Sequence, residues 1–157
     1  MRFEEPPAVR QRRFDESGME ILAESTCVRI LHDQSLGRVG FIDDDGEPLV
    51  LPVSYRFHRR RVYFYSSEGA KLRAATRGTR VCFEVDGWNP ATGDGWSVLV
   101  KGVCRPVEEE EEEEVGFDLD LRPWLRTALR PMKLVEIVPE EISGRRLPSG
   151  PVAPEWD

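Results

Sequence analysis

Two alternating apolar runs separated by Asp43-Asp44-Asp45-Gly46 constrain this chain more than any other feature. Turn-forming residues between 38–42 and 48–57 predict a β-hairpin, because Asp and Gly tolerate the backbone that a tight turn demands. On the second arm Leu49, Leu51, Val53, Tyr55 and Phe57 fall two apart and so share one face. The same pattern continues downstream. Residues 61–65, 80–85, 96–104 and 132–138 are further apolar runs bounded by turn signals, and residues 70–77 read as a crossover helix stopped by Gly78. Six strands, tight turns and no alternation of strand with helix predict a mainly β fold: an antiparallel barrel, closed or partly closed.

Around this middle the chain is less patterned. Residues 1–16 are charged and contain prolines, which predicts a flexible N-terminal arm; 148–157, with three prolines, predict a flexible tail. The folded domain is then 17–147. Residues 19–32 read as a helix, with Cys27, Ile30 and Leu31 at i, i+3 and i+4 and Ser25 placed to cap the turn below them. Residues 86–95, rich in Gly, Asn, Pro and Asp, read as a loop, and 119–130 as a helix or turn. Pro52 inside a strand cannot donate to a ladder, which predicts an edge, a bulge, or backbone facing something other than a neighbouring strand.

Charge narrows the function classes. The formal net charge is −7, from 22 basic and 29 acidic residues, which disfavours binding to nucleic acid. Seven of the carboxylates form the run 108–114, read as a solvated helix face or a flexible bridge. Acidic residues and prolines at the start do not resemble a signal peptide, and no apolar segment approaches the roughly 20 residues of a membrane span. Cys27, Cys82 and Cys104 are odd in number and widely spaced, so each reads as a reduced, packed thiol. The expected compartment is the cytoplasm. His32 and His58 read as surface or structural, no metal site is expected, and no catalytic set is recognisable.

Three segments could carry chemistry. In Tyr65-Ser66-Ser67-Glu68-Gly69-Ala70-Lys71-Leu72 a strand gives way to two hydroxyls, a glycine and a lysine entering a helix. Helix-start amides and a mobile ammonium are how a phosphate is held, although Ser67 as a simple cap and Lys71 in solvent is the plainer reading of the segment alone. Pro52-Val53-Ser54-Tyr55 could leave backbone groups free to meet the edge of a flat polar ring, or could be an ordinary edge strand. In Gly95-Trp96-Ser97 an aromatic and a hydroxyl open a long strand; core packing of Trp96 is the plainer alternative.

In their order these segments resemble the pyridoxamine 5′-phosphate oxidase-like family with its FMN-binding split-barrel fold, nearest the nitroimidazole-resistance branch. The likeness spans residues 19–146 and includes Gly37-Arg38-Val39-Gly40-Phe41, Val81-Cys82-Phe83-Glu84-Val85-Asp86 and Ile142-Ser143-Gly144-Arg145. It implies a six-stranded antiparallel split barrel of Greek-key type that forms a homodimer with flavin at the subunit interface. It also implies roles. Pro52, Val53, Ser54 and Tyr55 would lie along the ring edge, Ser66 and Lys71 would bind the FMN phosphate with Ser67 helping, and Trp96 and Ser97 would line the flavin. Arg145, and with less support Trp124, would reach across from the partner chain. The implied activity is an FMN-dependent oxidoreductase acting on a small molecule; relatives that bind deazaflavin or haem leave a non-catalytic binding dimer as the alternative. Ala70 and Tyr65 depart from the residues usual at their positions, and the acidic run is peculiar to this chain.

Overall fold

The computed structural model describes residues 12–67, 73, 77–119, 121 and 132–147. Among them are nine antiparallel strands and two helices: β1 Arg13–Phe14, β2 Glu20–Ile21, α1 Glu24–Asp33, β3 Leu36–Ile42, β4 Pro48–Ser54, β5 Arg56–His58, β6 Arg61–Ser67, β7 Arg80–Asn89, β8 Asp94–Pro106, α2 Glu109–Leu119 and β9 Met132–Leu147. Strand order along the sheet is β1-β2-β9-β8-β7-β3-β4, and β6 pairs both β9 and β5. The expected hairpin is β3–β4, in register from Leu36↔Ser54 to Ile42↔Pro48. β4 and β5 are one run of chain broken at Tyr55: before it the strand pairs β3, after it β6. That change of partner bends the sheet round into a barrel without closing its ring of hydrogen bonds, since β4 and β6 share no ladder.

Alternation sets what is inside. Val39, Phe83, Val85, Val98, Val100, Phe64 and Ile137 fill the barrel, and Cys27 and Leu31 of α1 pack into the same cluster. Each such side chain contributes roughly 1.5–3 kcal/mol by leaving water. A second, smaller cluster lies on the outer face. Tyr63, Val107 and Leu134 are covered there by Val115 and Leu119 of α2.

Several sequence expectations are corrected. The helix expected over 19–32 begins only at Glu24, because Glu20–Ile21 is drawn into the sheet by the end of β9 (Glu20↔Arg146, Ile21↔Arg145). Its N-cap is Ala23, which makes no side-chain capping bond, and Ser25 lies inside the helix. The stretch expected as a loose arm to residue 16 supplies β1, paired Arg13↔Ile21; residues 1–11 and the expected tail lie outside the described residues. The loop expected over 86–95 is a two-stranded ribbon, tied by Gly87↔Trp96 and Trp88↔Gly95. Each tryptophan lies against the glycine opposite. An added Cβ would meet Trp96 at 2.5 Å from Gly87 and Trp88 at 2.9 Å from Gly95.

The acidic run is the first half of α2, read here as a helix face held to the β5–β6 turn by Glu114–Arg59 (3.6 Å) and Glu111–Arg61 (3.7 Å). That turn places Arg59 and Arg60 at φ 49° and 59°, the left-handed values a two-residue hairpin turn needs. Arg60 in turn pairs with Glu24 of α1. The expected helix or turn over 119–130 lies largely outside the described residues. Among the described residues no helix is long and apolar enough to cross a membrane.

The thiols differ from expectation at one position. Cys27 and Cys104 are buried, but Cys82 is exposed on the outer face of β7. Burial, with the charge of Glu136 adding to it, pushes the Cys104 thiol up to about 12, and burial raises Cys27 as well. Because the thiolate is the reactive form, native protein should give one fast-reacting thiol in a disulfide-exchange titration and all three after unfolding. Fast modification of Cys104 in the native state would contradict this packing.

Candidate functional site

Where the barrel fails to close, two backbone edges face each other. Continuing the β5–β6 register beyond Arg56↔Tyr63 would set Ser54 opposite Tyr65, Val53 opposite Ser66 and Pro52 opposite Ser67, yet no ladder forms there. β4 pairs only β3 on its other side, and β6 pairs β9 through Ser66↔Lys133 and Ser67↔Met132. The slit between them is thus bounded by two of the three candidate segments. The amide of Tyr55 donates to Ser35 O at 3.0 Å, on the β3 side. Amides alternate along a strand, so those of Val50 and Ser54 point the other way, into the slit. Pro52 lies in the same outward set. Its missing N–H costs the β3–β4 ladder nothing, and its carbonyl is left facing the opening.

Side chains divide between the two faces. Val53 is buried, and Tyr55 is fully buried, its hydroxyl donating to Leu31 O at 2.8 Å and its ring edge-on to Phe83. Both belong to the core, so these two can meet a ligand only through their main chain. Pro52 is exposed and Ser54 half-buried on the outer face. Ser66 is buried at the rim of the slit, 2% exposed. The main chain of Ser67 completes β6; its side chain, Lys71 and Trp124 lie outside the described residues.

The third candidate segment sits elsewhere. Ser97 is opposite Asp86 on β7 and Arg145 on β9, so these three form one row across the outer face. Trp96, half-buried, packs from the inner side against the barrel core. Arg145, expected to reach across to a partner, is held within its own chain: Nε donates to Asp15 Oδ2 at 3.0 Å and Nη1 to Gly144 O at 3.0 Å. The Met19 amide foremost, with Arg145 and the Ser17 amide, holds the Asp15 carboxyl below its usual range.

The row beside it carries a charged group that sequence reasoning did not single out. Arg38 Nη1 lies 3.1 Å from Glu84 Oε2 and 3.4 Å from Asp86 Oδ2. Burial raises the Glu84 carboxyl, the hydrogen bond and charge of Asp86 raise it further, and Arg38 opposes both. The i, i+2 spacing of Glu84 and Asp86 was the available signal, since it puts both carboxylates on one face of a strand.

Within one chain the two halves of the expected site are joined by two routes round the sheet. Ser66 pairs Lys133 at the start of β9 and Ser97 pairs Arg145 near its end. Along β9 they are twelve residues apart, but round the other side of the sheet Ser54 falls in the row of Leu36, Asp86 and Ser97, three strands away, roughly 14 Å at about 4.8 Å per strand.

Known proteins share this architecture. A FAD-binding protein from Mycobacterium smegmatis is 31% identical and superposes with a TM-score of 0.67, over 82% of this chain and 99% of that one. A FAD-binding protein from Mesorhizobium loti has the same fold, with TM-score 0.69 over 83% of this chain and 99% of its own at 23% identity. The uncharacterized protein Rv3129 of Mycobacterium tuberculosis is 37% identical over 92 residues, 59% of this chain and 80% of that protein. The family model for pyridoxamine 5′-phosphate oxidase matches residues 23–146, and with the split barrel in hand the chain belongs to that family.

Proposed function

We propose that the chain is a flavin-dependent oxidoreductase that binds FMN as a homodimer and acts on a small molecule. The observation that carries this reading is the slit between β4 and β6. Its walls offer the Ser54 amide and the Pro52 and Ser54 carbonyls, a donor with acceptors on either side, which suits the polar edge of a flat heteroaromatic ring. Ser66 stands at the rim, and the following Ser67 and Lys71 supply a hydroxyl and a cation for the phosphate. When bound, the flavin supplies the redox chemistry, accepting or donating a hydride at its ring. The chain's own groups bind the ring edge, orient it and limit its contact with water.

A homodimer would let groups of two copies meet at one cofactor. The outer face of β3, β4 and β7 suits such a contact, since Leu36, Ile42, Val50 and Trp88 are all exposed there; soluble monomers seldom leave so many large apolar groups on one face. FAD binding by two proteins of the same fold is consistent with a flavin here.

The protein is expected to retain a two-banded yellow spectrum through gel filtration after FMN is added, eluting at the mass of two chains. Lys71→Ala and Ser66→Ala should each weaken FMN binding about tenfold or more, the cost of one charge-assisted contact. Reduced nicotinamide nucleotide with a quinone or nitroaromatic acceptor should then show turnover. Failure to bind added FMN would overturn the cofactor assignment; binding without turnover would leave a flavin-holding dimer.

A further inference from the structure

A second cleft, of about 750 Å³, opens where β1, β2, the start of α1 and the end of β9 converge. Arg12, Arg13, Arg29 and Arg146 line it, together with Glu20 and Glu24. Glu24 pairs with Arg60 outside the cleft, and Glu20 Oε1 lies 3.7 Å from Arg12 Nε while its Oε2 is buried without a hydrogen bond among the described residues, so the four guanidiniums still outweigh the one carboxylate left in the cleft. Among the described residues Arg13, Arg29 and Arg146 have no ion pair and no side-chain hydrogen bond. This is unusual in a chain with 29 acidic and only 22 basic residues. Elsewhere on the same molecule Arg38, Arg59, Arg60, Arg61, Arg73, Arg77, Arg80, Arg105 and Arg145 all have carboxylate partners. Three unpaired guanidiniums from three separate elements therefore face one cavity.

We propose that this cleft binds the diphosphate of a nucleotide, at a site separate from the slit. Guanidinium groups bind phosphate oxygens through paired N–H donors, and three of them match the charge of a diphosphate. The apolar wall formed by Ile21, Leu22 and Ala23 favours a ligand with a flat base attached over a bare anion. The volume is right for a nucleotide, within the few hundred to roughly 1,000 Å³ usual for such ligands. The cleft also adjoins the row that contains Ser97, because Arg146 is the cross-strand partner of Trp96 and the next residue after Arg145. Two sources share this chemistry: the adenosine diphosphate end of a flavin dinucleotide, or that of a nicotinamide electron donor. Only the choice between those sources rests on the proposed function; the diphosphate site itself does not.

ADP is the probe, titrated calorimetrically into the full-length protein. Arg13→Ala, Arg29→Ala and Arg146→Ala should each weaken ADP about tenfold, and raising the salt concentration should weaken it further. The thermal midpoint of each variant checks that it folds. Arg80→Ala, which removes an arginine on another face, should leave ADP binding unchanged. No ADP binding at millimolar concentration, or equal losses with Arg80→Ala, would overturn the site whatever the protein does with FMN. Two further titrations identify the source. Weaker binding of FAD with FMN unchanged in Arg146→Ala assigns the cleft to a flavin dinucleotide. A raised KM for the nicotinamide nucleotide, with flavin affinity unchanged, assigns it to the electron donor. If neither FAD affinity nor that KM responds in Arg146→Ala while ADP still binds, the diphosphate site stands and both of these sources are overturned.

Discussion

Gly102→Ala is expected to destabilise the protein by about 3 kcal/mol, at the upper end of what overpacking costs. Gly102 sits at the irregularity where the β8–β9 register shifts between Lys101 and Gly102. A Cβ there would lie 2.1 Å from the carbonyl oxygen of Val138, 2.9 Å from its carbonyl carbon and 3.0 Å from the Cα of Pro139. All three are main-chain atoms in the middle of the longest ladder in the sheet, so no rotamer change relieves the contact. The two strands must separate locally and give up hydrogen bonds. Gly40→Ala is the internal comparison. Its Cβ would meet only the Cys82 sulfur, at 2.7 Å, an exposed side chain that can turn away by giving up its weak thiol bond to Gly40 O, and the expected loss is below about 1 kcal/mol. Urea unfolding of the cofactor-free protein measures both. Equal losses at the two positions would mean that the bulge is more pliable than its contacts indicate.

Glu136→Ala carries the second large effect, about 2 kcal/mol. Glu136 is 2% exposed, yet it is a carboxylate; it accepts from Arg61 Nη1 at 2.8 Å and from Arg105 Nε at 2.7 Å. It lies opposite Tyr63 on β6 and Arg105 on β8, on the outer face that α2 covers. Breaking a fully buried pair costs roughly 3–5 kcal/mol, because the partner charge is stranded. Here the arginine side chains are 32% and 50% exposed and can turn to water, which lowers the expected cost. Glu136→Gln keeps an acceptor between the two guanidiniums and should lose only about 1 kcal/mol. Denaturant midpoints that fall in the order wild type, Gln, Ala would support this bridge. An Ala variant as stable as wild type would show that the arginines gain as much from water as from the carboxylate.

The barrel strands were legible because one face of each is buried, which writes a period of two into the sequence. Elements created by tertiary pairing left no such mark. β1 and β2 have two residues each and exist through the end of β9, and β9 itself runs on past Pro139 and the paired carboxylates at 140 and 141 that resemble a strand's end. In the ribbon joining β7 to β8, Gly87 and Gly95 read as loop residues; they are small because a tryptophan covers each. Cys82 was misjudged from apolar neighbours, since alternation turns it outward between buried Val81 and Phe83. At the site, Pro52 gave a true signal of an edge. The meeting of Ser97 with Asp86 and Arg145 depends on registers between distant segments, and no local pattern encodes it.

The outward edge of β4 has one more property. A bare strand edge invites a stray strand from another molecule to add to it, which is how β proteins begin to aggregate. On β4 the outward positions are Pro48, Val50, Pro52 and Ser54, and two of these four have no amide hydrogen to offer. An incoming strand would find half its acceptors unanswered, whereas a small ring needs only one donor flanked by carbonyls. The same prolines that keep the slit open to a ligand therefore guard it against misassembly, and replacing them would trade solubility for a zipped seam.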